Sequence, residues 1–341
     1  MNAAARRPTM KDVAGVAGVS LATVSRVVNG SADVRADLAE RVRDAIEVLG
    51  YRRDVTASTL RRADRLSASI GLVFEDVSNP FFSAVQRGIE DVAHAHGTLT
   101  FAASSDEDPD RERELAEAFG GRGVDGLVIV PCGHDQSYLL RERRSGTALV
   151  FVDRPPSFID ADAVLSDNAG GARAGVEHLL SAGHRRIAFL GDRAAIHTAV
   201  ERRAGYRSAL AAAGVPPDPA LERVGLVDSA LAAAAALELL SAPDPPTAIF
   251  AGQNLITVGA LRALRERGRQ HEVGLVGFDD VMLGDMIEPG VTVVMQDPYE
   301  LGRQAAELLF AQLDGAAGET RRIELPTRLV ARGSGEIAPP A

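Results

Sequence analysis

From about residue 68 onward, short apolar runs alternate with stretches whose apolar positions recur every three to four residues. The short runs predict strands at 70–74, 99–103, 126–130, 148–152, 186–190, 248–251 and 273–278. The periodic stretches predict helices at 81–96, 111–119, 171–182, 199–213, 230–240 and 255–268. Strand–helix alternation implies parallel sheets covered on both faces by right-handed crossovers. These strands are too many for one comfortable sheet, and the change near Leu165, Ser166 and Asp167 reads as the passage from one α/β lobe to a second. The late segments 291–295, 299–313 (a helix) and 321–328 are not assigned to either lobe by their pattern.

The first fifty residues follow a different, all-helical rhythm. Thr9, followed three residues later by Asp12, is close to a capping box and opens a helix with Val13, Ala14 and Ala17 facing inward. Gly18-Val19-Ser20 breaks it, and Ser20 caps a second helix with Val24, Val27 and Val28 on one face. Asn29-Gly30 closes that helix, and a third carries Leu38, Val42, Ala45, Ile46 and Leu49 before Gly50. Two short helices around a glycine-containing turn, braced by a third, describe a helix-turn-helix whose second helix enters the major groove. A small three-helix bundle with no DNA role fits the same apolar pattern. The other face of the second helix separates the two: Leu21, Ala22, Thr23, Ser25, Arg26 and Asn29 are short or donor-bearing. Arg26 can read a guanine edge bidentately, while Thr23, Ser25 and Asn29 can hold phosphates.

Charge supports that division. The 341-residue chain has a net charge of −10, yet residues 1–67 hold 12 Lys and Arg against 8 Asp and Glu. A basic head on an acidic body suggests a nucleic-acid-binding module joined to something else. The length predicts two or three domains, and 46% hydrophobic with 25% charged residues excludes wholesale disorder. No run of eighteen apolar residues occurs, so no membrane span is expected, and the opening residues 1–7 contain no secretory apolar stretch. The single cysteine, Cys132, fits a reducing cytoplasm.

The run from Thr9 to Asn29, TMKDVAGVAGVSLATVSRVVN, strongly resembles the opening of the lac repressor family of bacterial transcription regulators, and the similarity continues through Val34-Arg35 and Leu49-Gly50-Tyr51. The resemblance implies that Leu21, Ala22 and Arg26 set operator choice. It also implies that residues 51–67 form a hinge, with Leu60 wedged into the minor groove and Ala57 three residues before it. The hinge departs from the family at Arg53, Asp54 and Ser58, where Pro, Asn and Arg are usual; Arg61 and Arg62 offer partial replacement. For the body the resemblance implies a two-lobed periplasmic-binding-protein fold with three crossovers. The expected division is a helix-turn-helix domain at 1–50, a hinge at 51–67 and an effector-binding and dimerisation domain at 68–341. Within that domain, lobe 1 takes about 68–165 plus 297–324 and lobe 2 about 166–296 plus 325–341.

Chemistry in the body points to binding. Gly121-Arg-Gly-Val-Asp-Gly126 matches G-x-G-x-x-G but follows a helix and precedes a strand, the reverse of a dinucleotide site. No nucleophile elbow, phosphate loop or H-E-x-x-H occurs, and the histidines form no ligand cluster, so no catalytic residue, metal or cofactor is assigned. Ligands of open α/β sheets sit beyond the carboxyl ends of strands. Polar and aromatic residues there, with Arg202 near a helix start, nominate Asn79, Phe81, Phe82, Asp153, Arg154, Arg202, Gln253, Asp279 and Gln296, with Asn254 and Asp280 beside them. The resemblance places effector contacts at the same positions. Two carboxylates, Asp153 and Asp279, against two guanidiniums suit a neutral sugar or polyol, with a nucleobase or nucleoside as the other option. The expected protein is a cytoplasmic, nucleoid-associated repressor, not an enzyme, that binds a pseudo-palindromic operator as a homodimer, the Pro-rich tail 333–341 being too short for a tetramer-forming helix. The alternatives are a sugar- or nucleoside-processing enzyme with an accessory DNA head, and a solute-binding protein.

Overall fold

The computed structural model describes residues 8–28, 31, 33–51, 67–316 and 318–340. Two compact units emerge, residues 1–67 and 68–341.

In the first unit, α1 (Met10–Ala17), α2 (Leu21–Val28) and α3 (Ala36–Leu49) surround a core of Val13, Ala17, Val24, Val42 and Ala45. The capping box forms as read: the Thr9 hydroxyl accepts from the Asp12 amide while the Asp12 carboxylate accepts from the Thr9 amide at 2.7 Å. Gly18, at φ 63°, supplies the left-handed turn between α1 and α2. Arg41 of α3 donates to the carbonyls of Ala17 and Gly18, so the third helix fixes that turn as well as burying apolar surface.

The second unit contains two six-stranded sheets. The first sheet has β1 (Ser69–Phe74), β2 (Leu99–Ser104), β3 (Gly126–Ile129), β4 (Ala148–Val152), β5 (Asp162–Ser166) and the late β11 (Arg322–Leu325), in the order β11-β5-β4-β3-β1-β2 and all parallel. The second has β6 (Ile187–Leu190), β7 (Glu222–Arg223), β8 (Ala248–Ala251), β9 (Gly274–Phe278), β10 (Thr292–Met295) and β12 (Arg328–Val330), in the order β12-β10-β9-β8-β6-β7, with only β12 antiparallel. The intervening helices are α4 (Pro80–Ala95), α5 (Pro109–Gly121), the short α6 (Leu140–Arg144), α7 (Asn168–Ser181), α8 (His197–Ala212), α9 (Ser229–Leu240), α10 (Asn254–Glu266) and α11 (Pro298–Leu313).

The chain crosses between lobes three times: after β5, between β10 and α11, and between β11 and β12. The last crossing resolves the late segment at 321–328. It is two strands in two sheets, parted at Pro326, which cannot donate to a ladder and holds its predecessor extended. Strand alternation sorts the first lobe's core. Ile70, Leu72 and Phe74 pack with α4 and α11, while Val73, Leu127, Ile129 and Phe151 face Ala116 and Leu139 on the other side. Helices α4 and α11 pack with their backbones nearly touching, because a Cβ on Gly88 would lie 2.1 Å from the Tyr299 carbonyl and one on Gly302 would lie 1.9 Å from that of Val85. No described helix is long and apolar enough to cross a membrane.

Candidate functional site

On the head, Val24 is fully buried, and Leu21, Ala22 and Arg26 are exposed. Ser20 and Thr9 do structural work first. The Ser20 hydroxyl accepts from the Thr23 amide at 3.1 Å and lies 2.9 Å from the Thr23 hydroxyl, which fixes the entry of α2. Ser25 is half-buried beside the exposed Arg26. The other predicted DNA contacts, Asn29, Ala57 and Leu60, and the hinge arginines lie outside the described residues.

In the body, all nine predicted effector residues line one cleft, together with Glu75, Asp192, Ile196, Thr198, Ala199, Gly252 and Asn254. Its walls are the carboxyl ends of β1 and β4 from one lobe and of β6, β8, β9 and β10 from the other. The empty space between them, part of it open to solvent, is about 470 Å³. Asp153 and Asp279 each follow a strand with left-handed backbone, φ 69° and 68°. Aspartate tolerates that region better than most residues. Equivalent strand ends in the two lobes thus present a carboxylate by the same uncommon turn, the kind of local strain that collects at binding sites.

Each lobe holds one buried guanidinium. Arg202 donates to Asn168 Oδ1 at 2.7 Å and to the Gly252 carbonyl at 2.8 Å, lies 3.7 Å from Asp279 and stacks 3.9 Å over the Phe278 ring. Arg154 lies 2.9 Å from Glu75 and 3.4 Å from Asp153 and also pairs with Glu107. Glu107 sits in a turn where it and Asp106 both have positive φ, 58° and 54°. Gln253 donates to Asp192 at 2.7 Å and Gln296 to Asp279 at 2.6 Å. One side-chain bond spans the cleft, Asn254 Nδ2 to Asn79 Oδ1 at 2.8 Å; the same oxygen caps α4 by accepting from the Phe81 amide.

The charge balance differs from the sequence count. Glu75, Glu107 and Asp192 join Asp153 and Asp279, so five carboxylates meet two guanidiniums. Burial, then the nearby Glu107, Asp192 and Asp153 charges, push Glu75 up to about 7 against the pull of Arg154. Burial also raises Asp192 and Asp279. Two aromatic expectations divide. Phe82 is a core residue stacked on Phe74 with centroids 5.7 Å apart, while the half-buried Phe81 meets it edge-on. Asp280 is turned to an ion pair with Arg332 at 2.6 Å and does not line the cleft.

Glu75 and Asp192 directly follow the ends of β1 and β6 or lie two residues beyond, so the strand-end rule that found Asp153 reaches them too. Glu107 has no such signal, since only folding brings it to Arg154. Cys132 is buried, and burial with the neighbouring Glu112 carboxylate pushes its thiol up, the state of a structural thiol. Among the described residues no group of three or more His, Cys, Asp or Glu is arranged to hold a metal ion.

Residues 9–54 match the profile of bacterial regulatory proteins of the lacI family, and residues 176–335 that of the periplasmic-binding-protein-like domain. The chain is 34% identical to the transcriptional regulator CelR of Thermobifida fusca over 97% of its own length and 99% of the relative's. The solved complex of CelR with cellobiose superposes with a TM-score of 0.71 at 34% identity, covering 96% of this chain and all of that one. A lac repressor dimer bound to operator and an anti-inducer superposes with a TM-score of 0.83 at 26% identity over 97% of this chain and 99% of that one.

Proposed function

Because the chain belongs to the lacI family of bacterial regulatory proteins and is a DNA-binding transcriptional regulator rather than an enzyme, we propose that a sugar or other polyol, bound between the lobes of the body, controls its grip on a pseudo-palindromic operator. The observation that carries this reading is the convergence on one cleft of eight residues chosen from strand ends and of Arg202, chosen from near a helix start. Carboxylates accept from adjacent hydroxyls, guanidiniums and amides donate to ring and hydroxyl oxygens, and Phe81 offers an apolar edge. The CelR complex with cellobiose supports a sugar in an equivalent fold.

The division into a head at 1–50, a hinge at 51–67 and a body at 68–341 serves this reading. In the head, Leu21, Ala22 and Arg26 read base edges, and Thr9, Ser20, Thr23, Ser25 and Asn29 fix the helix and hold phosphates. Ala57 and Leu60 belong to the hinge contact with the minor groove. Two heads reading two half-sites require a homodimer, and the exposed apolar side chains of Met282, Leu283 and Met286 suit a face covered by a second copy. The protein acts in the cytoplasm, at the nucleoid.

A thermal-shift screen of sugars and polyols, followed by gel shifts with operator DNA, tests the proposal. A sugar that raises the melting temperature and changes operator affinity is the expected result. Stabilisation only by phosphorylated or purely apolar compounds would refute it.

A further inference from the structure

The cleft has a surplus of negative charge that the protein does not neutralise. Arg154 is shared among Glu75, Glu107 and Asp153, and Arg202 is occupied by Asp279, Asn168 and the Gly252 carbonyl. Asp192, which lines the opposite wall, has only the neutral Gln253 side chain and its neighbour Arg193's amide as partners. Glu75 on one wall and Asp192 on the other line the same cleft, and above about pH 7, where Glu75 ionises, they are like charges. A second observation is independent of charge. Gln296, only 5% exposed, lines the same cleft and donates through Nε2 to Asp279, while its buried Oε1 accepts from nothing. A buried acceptor left empty calls for a ligand N–H or O–H.

Resting on the polyol reading above, we propose that the ligand is a polyol bearing a protonated amine, an amino sugar in the simplest form, whose ammonium faces Glu75 and Asp192 and whose further donor satisfies Gln296 Oε1. A neutral sugar can satisfy Gln296 Oε1 but brings no positive charge to the two carboxylates. An ammonium, with three donors and no acceptor, matches carboxylates on both walls. Glu75 shares its carboxylate between Arg154, at 2.9 Å, and the amine, with Glu107 and Asp153 also beside the guanidinium.

Calorimetric titration of the full chain at pH 7.5 with matched pairs tests this: glucose, galactose, mannose and cellobiose against glucosamine, galactosamine, mannosamine and chitosan disaccharide. At least one amine should bind about tenfold or more tighter than its neutral counterpart, the worth of one charge-assisted hydrogen bond. Glu75→Gln and Asp192→Asn should each remove most of that preference, read within each variant as the ratio of the amine's affinity to that of its neutral counterpart. A melting curve for each variant checks folding, and the two substitutions on opposite walls back each other up. A neutral sugar binding as tightly as its amine, or a preference that survives both substitutions, overturns the inference and leaves the polyol reading standing. Binding by neither series overturns both.

Discussion

Replacing Glu75 by Gln should stabilise the ligand-free protein at alkaline pH and leave it unchanged at acid pH. Glu75 ordinarily titrates near 4.5 and in the fold is pushed up to about 7, chiefly by burial. Below 4.5 both folded and unfolded chains hold the proton, and nothing is lost. Between 4.5 and 7 the unfolded chain releases it while the folded one keeps it, so stability falls as pH rises and the full penalty is present above 7. At about 1.4 kcal/mol per pH unit that penalty is roughly 3 kcal/mol. The side chain keeps 28% exposure, and solvent screening trims the figure to about 2 kcal/mol. Glutamine cannot ionise and still accepts from Arg154, which retains Glu107 and Asp153. Melting curves of the two proteins from pH 5 to pH 8.5 should coincide at the acid end. They should separate by about 4 °C or more at the alkaline end, with the variant higher. Other titrating groups largely cancel in the difference. A constant offset across the range, or a variant less stable at pH 8, would refute the account of Glu75 as a carboxyl held against its charge.

Four further outcomes follow from the same structure. Arg26→Ala should leave the melting temperature within about 1 °C, since the side chain is exposed, and cost roughly 1–3 kcal/mol of operator discrimination in a competition gel shift. Deleting residues 1–66 should leave a soluble, cooperatively melting body that binds the effector and has no measurable operator affinity; an insoluble body, or one that still shifts operator DNA, would contradict the division. Asp279→Asn should abolish the effector response with modest loss of stability, whereas Arg202→Ala, which removes four contacts at once, should destabilise the body by about 3–5 kcal/mol in urea unfolding. Gly302→Ala should cost about 1–3 kcal/mol in the same assay, because its methyl would collide with the Val85 carbonyl where α4 and α11 touch.

The sequence disclosed what short-range physics controls. Capping chemistry at Thr9 and Asp12, the Gly18 turn and the apolar spacing of α2 all describe contacts within a few residues, and each forms as read. Strands whose two faces are both buried read as apolar runs, so β1, β3, β4, β8 and β9 were visible in advance. The glycines at 121, 123 and 126 take the predicted helix-to-strand order, α5 ending at Gly121 and β3 starting at Gly126. What stayed hidden depends on distant partners. The two-residue β7 carries no pattern of its own, and β11 and β12 are too short to declare which sheet they join. Gly88 and Gly302 look like ordinary interior helix residues until α4 meets α11. At the cleft, side-chain type with strand-end position, and a helix start for Arg202, sufficed to collect the candidate residues that line it, but not to weigh their charge. Glu107 reaches Arg154 across 47 positions of sequence, and Asp192 and Glu75 come to one cleft only in the folded body.

That hidden charge bears on how the two lobes communicate. A ligand shifts an equilibrium only by the difference in its affinity for the two states. The cleft's side chains join the lobes directly through the hydrogen bond from Asn254 Nδ2 to Asn79 Oδ1, while Glu75 and Asp192, one from each lobe, bring carboxylates to the same cleft. One neutral hydrogen bond contributes about 1 kcal/mol net, and above about pH 7 the like charges of Glu75 and Asp192 oppose it. Such a balance is what an effector needs to tip with the 1–3 kcal/mol typical of allosteric coupling. Each of the three crossings between the lobes falls beyond a strand end, so none interrupts either sheet. Each apolar core is complete within one lobe, so on the reading proposed above the effector acts through the polar contacts of the cleft.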